Sequence, residues 1–116
     1  MTDSAAAALK SRLRADLKTA MRTQQSEETR LLRVLLAAID NAEAVSTPQE
    51  RGYVTRDFGD GSAEVPRRVL TPDMLQAILH DEIETRRAAA DEMDRVERAD
   101  RAESLRFQAS IVARYL

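Results

Sequence analysis

His80, Asp81 and Glu84 lie within about one helical turn and supply an imidazole and two carboxylates, residue types that hold divalent metals. A carboxylate-bridged metal pair in a helical bundle draws Glu-x-x-His pairs from more than one helix, and His80 is the only histidine in the chain. The sequence therefore predicts an exposed His80 and no metal site. The neighbouring acids Asp81/Glu82 and Asp91/Glu92 read as helix-surface charges. Acid–base catalysis would require surroundings that drive two carboxyl pKa values apart. Arg86, Arg87, Arg95, Arg98 and Arg101 have the chemistry to bind phosphate. They are interleaved with acids, so salt bridging is the expectation, with Glu82 and Arg86 as an i,i+4 pair. The chain has no cysteine, which removes thiolate nucleophiles, disulfides and cysteine-based zinc sites. It also lacks a phosphate-cradling glycine loop and any Ser-Lys nucleophile centre. No catalytic residue, cofactor or small-molecule substrate is expected.

A second pattern is better formed. Leu9, Leu13, Leu17 and Met21 recur every fourth residue, and Lys10, Arg14, Lys18 and Arg22 repeat the spacing one position later. The first row is a packing edge. The second is a wholly cationic edge, and it is either a solvated surface or the candidate contact to an anionic partner. Residues 1–25 carry a net charge of +3 and residues 72–104 a net charge of −5. With an overall charge of −2 and a pI near 5.5, general nucleic-acid binding is not indicated. A local patch is. The opposite charges of the two halves would also suit attraction across the fold or across a dimer.

These residues must be positioned by helices. The chain has 116 residues, 43% hydrophobic and 33% charged, with few aromatics and only three glycines and three prolines. That profile predicts a single all-α domain over 1–116. Four helices are expected, near 4–23, 27–45, 72–96 and 101–116. Ser26 is the expected cap of the second helix, with Glu27 and Glu28 in its first turn. Thr71-Pro72-Asp73 marks the start of the third. The break before the fourth is expected near Ala99-Asp100-Arg101. The expected core comprises Leu13, Leu17, Met21, Leu32, Leu35, Ile39, Leu75, Ile78, Leu79, Ile83, Leu105, Ala109 and Val112. Between the halves, 46–70 holds all three glycines and reads as a peripheral loop. Alternatively, Tyr53–Thr55 could pair with Ala63–Val65 as a small hairpin. No apolar run approaches the roughly 20 residues that span a bilayer, and residues 1–8 lack the features of a signal peptide. A cytoplasmic protein is the expectation.

Residues 9–22, from Leu9-Lys10-Ser11-Arg12 to Ala20-Met21-Arg22, resemble the start of the N-terminal domain of YqeY-like (GatB/YqeY) proteins. The run from Leu31-Leu32-Arg33 to Asn41-Ala42-Glu43 resembles that domain's next helix. Leu70-Thr71, Ile78-Leu79, Glu82-Ile83, Arg86, Arg101, Glu103 and Arg114-Tyr115-Leu116 continue the match in order. The resemblance covers most of the chain outside 46–69. It implies a helical bundle; in longer relatives a three-helix domain follows, similar to the tRNA-contacting tail of an amidotransferase B subunit. This chain ends where those relatives continue. Asp40 stands where relatives often have lysine, and the glycine-containing loop is longer than usual for the family. The resemblance also implies partners, namely tRNA or a subunit of the glutamine-dependent aminoacyl-tRNA amidotransferase, a carbon–nitrogen ligase. Catalysis by this domain itself is not expected. A non-catalytic adaptor is the leading reading, with Lys10, Arg14, Lys18 and Arg22 as the nucleic-acid contact. The alternative is a self-associating structural module, a homo-oligomer without a nucleic-acid role.

Overall fold

A computed structural model describes residues 4–44 and 68–116 as four helices, with no strand among them. These are α1 (Ala5–Arg22), α2 (Ser26–Glu43), α3 (Pro72–Arg95) and α4 (Ala99–Ala113). Most inter-helix packing lies within two pairs, α1 with α2 and α3 with α4. The expected all-α bundle is present, and among the described residues no helix is long and apolar enough to cross a membrane. The Tyr53–Thr55/Ala63–Val65 pairing lies outside the described residues.

Local chemistry sets the helix starts. The Ser4 hydroxyl accepts from the Ala7 N–H at 3.0 Å, and the Thr71 hydroxyl accepts from the Met74 N–H at 3.1 Å ahead of Pro72. Each cap satisfies an amide that has no partner within its helix. Several boundaries shift by one to three residues from expectation, and α2 and α4 end early, at Glu43 and Ala113. Ser26 is the first helical residue of α2 and Gln25 its cap, and α4 begins at Ala99, not 101. Both turns close in the same way. Gln24 and Glu97 take left-handed backbone conformations, with φ of 58° and 59°. The Gln25 N–H then reaches the Ala20 carbonyl and the Arg98 N–H the Met93 carbonyl, at 2.9 and 2.7 Å. This is the Schellman closure, normally built on glycine. Neither turn has a glycine to mark it; the first break nonetheless falls where Gln24, Gln25 and Ser26 place it, and the second falls before Ala99 and not at 99–101.

The core contains Leu9, Leu13, Leu32, Leu35, Ile39, Leu79, Ile111 and Val112. Leu17 and Ile78 are half-buried against it, and Leu105 is half-buried. Met21 is a correction: it is 51% exposed, and Ala20 is buried in its place. Residues spaced by four advance about 400°, so a row starting at Leu9 rotates about 40° per step and leaves the core by its fourth member. Ile111 and Val112 are consecutive and both fully buried. Helix α4 is therefore covered on more than one side, which a single-stripe pattern does not foresee.

The end of the supposedly peripheral segment is also corrected. Leu70 is 3% exposed and belongs to the core, and the Arg68 N–H donates to the Glu43 carbonyl at 2.7 Å.

Candidate polyanion-binding face

The four members of the cationic row have different fates. Lys10 lies where α1 meets the last turns of α2, and its Nζ contacts Glu43 Oε1 at 2.6 Å and Asp40 Oδ1 at 3.2 Å. Its side chain is only 14% exposed. The hydrogen bond to Glu43 leads in raising the ammonium pKa above its ordinary value; burial opposes the shift and Asp40 adds to it. This lysine is fixed as a strut between α1 and α2, so it is not placed to meet a polyanion. Arg14, Lys18 and Arg22 are exposed, and none forms an ion pair with another described residue.

Every carboxylate in the same stretch is engaged elsewhere. From Arg14 to Arg33 the acids are Asp16, Glu27 and Glu28. Asp16 accepts the Tyr115 hydroxyl, Glu27 accepts Ser104 Oγ and, at 3.0 Å, Gln108 Nε2, and Glu28 meets Arg114 Nη1 at 3.6 Å. All four partners belong to α4 or the turn after it. Burial leads, and the Asp16 contact adds, in raising the Tyr115 phenol pKa well above the ordinary tyrosine value. Arg12 stacks over the same ring at 5.0 Å from its centroid. Glu27 heads a longer polar chain: Gln108 Oε1 accepts from Arg86 Nε at 3.1 Å, and Arg86 Nη1 donates to Glu82 Oε1 at 2.6 Å. Helices α2, α4 and α3 are joined through it.

The sequence pattern along α1 overlooked Arg30 and Arg33 on α2. Both are exposed, and neither has a carboxylate partner among the described residues. With Met21, Gln24, Ser26 and Thr29 they line a shallow depression at the hairpin tip, where Arg33 Nη2 lies 3.8 Å from Met21 Sδ. The signal was available in the spacing. At 100° per residue, Arg30 and Arg33 both fall on the side of α2 opposite Leu31, Leu35 and Ile39.

The other arginine run behaves differently. Arg86, Arg87 and Arg95 pair with Glu82, Glu84 and Glu92, and Arg98 pairs with Asp100 at 3.6 Å. Arg106 spans Asp91 and Asp94 at 2.9 and 2.7 Å. Arg101 is exposed. His80, Asp81 and Glu84 are exposed, and no group of three or more potential metal ligands occurs among the described residues. No protein-family model, curated protein or solved structure matches the chain.

Proposed function

We propose that this chain is a non-catalytic helical adaptor of the YqeY-like kind, working in the cytoplasm and associating with tRNA on behalf of glutamine-dependent amide transfer. The observation that carries the nucleic-acid part is the exposed row Arg14, Lys18 and Arg22, which no described carboxylate neutralises. Lys10 drops out of the contact because Glu43 and Asp40 hold it. Three cations about 6 Å apart along a helix suit a run of backbone phosphates and not a compact pocket. Such contacts release counterions without reading bases, so binding should depend steeply on salt and little on sequence. The link to the amidotransferase rests on the resemblance of residues 9–43 and 70–116 alone.

Titrating a tRNA transcript at two salt concentrations tests the reading, with an expected log–log slope of about −2 to −4. Changing Lys18 and Arg22 together to Gln should flatten that slope and leave the melting temperature nearly unmoved. No binding at low salt would remove tRNA from the proposal, and the self-associating module would then be preferred. Failure of an amidotransferase pull-down would remove the enzyme link separately.

A further inference from the structure

Sorting of charge at the tip of the α1–α2 hairpin says more about the ligand than the α1 row does. Between Arg14 and Arg33 the chain places five cations and three acids. The acids Asp16, Glu27 and Glu28 are all held against α4 or its following turn. The cations Arg14, Lys18, Arg22, Arg30 and Arg33 are all exposed. Over this stretch the cations stand in solvent without a carboxylate partner among the described residues, while each acid is engaged by α4 or the residues after it.

The arrangement is wide as well as long. Packed helices lie about 8–10 Å apart, and Arg14 to Arg22 spans about 12 Å along α1. The cations therefore cover an area instead of a line, and their backbones are fixed by regular helix. A single strand is usually held by aromatic platforms that stack its bases. Residues 4–44 contain no aromatic side chain, Tyr115 is buried, and Phe107 belongs to α4. The face offers charge and breadth with nothing to stack on. Its chemistry matches an ordered array of phosphates whose bases are already paired.

We propose that this five-cation face docks on the phosphate backbone of a double-helical RNA stem, with Arg30 and Arg33 of α2 as contacts equal in standing to Lys18 and Arg22 of α1. The proposal rests on the adaptor reading and narrows it, from tRNA in general to the paired part of a folded RNA. The contact of Arg33 Nη2 with Met21 Sδ, at 3.8 Å, links α2 to the α1 row across the hairpin.

The experiment compares a short RNA hairpin stem with a single strand of equal length, using the full chain at several salt concentrations. The stem should bind more tightly. In the Arg30→Gln/Arg33→Gln protein the log–log salt slope should fall by about 2 and stem affinity at low salt by roughly tenfold, with no sequence preference gained. Arg30→Lys/Arg33→Lys should restore most of the slope, showing that lost charge and not lost packing is responsible. Both variants are checked by melting temperature, which should stay within a degree or two of the parent because the side chains are exposed. Equal or tighter single-strand binding overturns the duplex assignment. Stem binding that ignores Arg30 and Arg33 but follows Lys18 and Arg22 overturns the α2 contacts and leaves the adaptor reading intact. A mass that doubles with concentration and is abolished by the Arg30/Arg33 change assigns the face to a second copy instead. Absence of both stem and tRNA binding at low salt removes the inference and the reading beneath it.

Discussion

The two hairpins close on the same turn and treat charge in opposite ways. Gln24 and Glu97 occupy the same left-handed position with the same pair of carbonyl contacts. In α3–α4 five arginines face acids of their own hairpin: Arg86, Arg87, Arg95, Arg98 and Arg106 have carboxylates within 4 Å, whereas Arg101 has none among the described residues. In α1–α2 only Lys10 does among the described residues. The tip acids of α1–α2 cross to the other hairpin, and the tip cations stay outside. Arginine content alone thus says little about binding. What matters is whether the fold returns an acid to each arginine.

The largest effect should come from the core that both hairpins share. Leu35 is 1% exposed, so Leu35→Ala should cost about 2–5 kcal/mol in a denaturant melt. Met21→Ala on the exposed side should cost less than about 1 kcal/mol. Similar losses at the two positions would mean that the α1–α2 tip is packed, and its contrast with α3–α4 would fail.

Next is the polar chain that takes charge away from the tip. Glu27→Ala leaves Ser104 and Gln108 without their acceptor in a half-buried setting. The expected loss is about 1–2 kcal/mol. RNA affinity should hold or rise, since a negative charge has been removed beside the cations. A fall in affinity at full folding would show that Glu27 shapes the face and does not simply withdraw from it.

Tyr115→Phe removes the hydroxyl that Asp16 accepts while keeping the ring beneath Arg12. A loss of about 1 kcal/mol is expected at neutral pH. The phenol pKa is raised in the folded state above its ordinary 10.0. Its contribution is therefore complete below pH 10 and is lost as pH rises through the folded value. The gap between the two proteins should be constant from pH 6 to 9 and should close in stronger alkali. Lys10, also raised, titrates alike in both proteins and cancels in the difference. A gap that changes between pH 6 and 8 would place the stabilisation on another group.

How far these differences were legible follows from where their causes lie. Thr71-Pro72 announces α3 because a cap is a local event, and the helical class follows from composition and apolar spacing. The row Arg14, Lys18 and Arg22 was visible as a pattern, and so was the pairing of Glu82 with Arg86, both being matters of spacing along one helix. Lys10 looked like its neighbours because Asp40 and Glu43 are 30 and 33 residues away. The withdrawal of Glu27 depends on Ser104 and Gln108, 77 and 81 residues distant. No spacing rule links those positions. Met21 differs for another reason: a row spaced by four drifts about 40° per step, so its fourth member turns out of the core.

The smallest effect should be at the exposed pairs of α3. Arg87 and Glu84 have side chains 59% and 68% exposed, and Arg95 and Glu92 are 68% and 58% exposed. Exposed pairs one turn apart gain little, because water screens them and two long side chains must be held still. Arg87→Gln and Arg95→Gln should each change stability by roughly 0.2–0.5 kcal/mol. Their effect on RNA binding is the sharper measure. Each arginine already has a carboxylate beside it, so removing it leaves an unpaired acid on α3 without subtracting a free cation. The salt slope for stem binding should not change, whereas Arg30→Gln alone should lower it by about 1. If the Arg87→Gln/Arg95→Gln protein loses slope as Arg30→Gln does, pairing within a helix does not silence an arginine. The binding surface would then extend over both hairpins, and the distinction between them would rest on the fold of their acids and not on function.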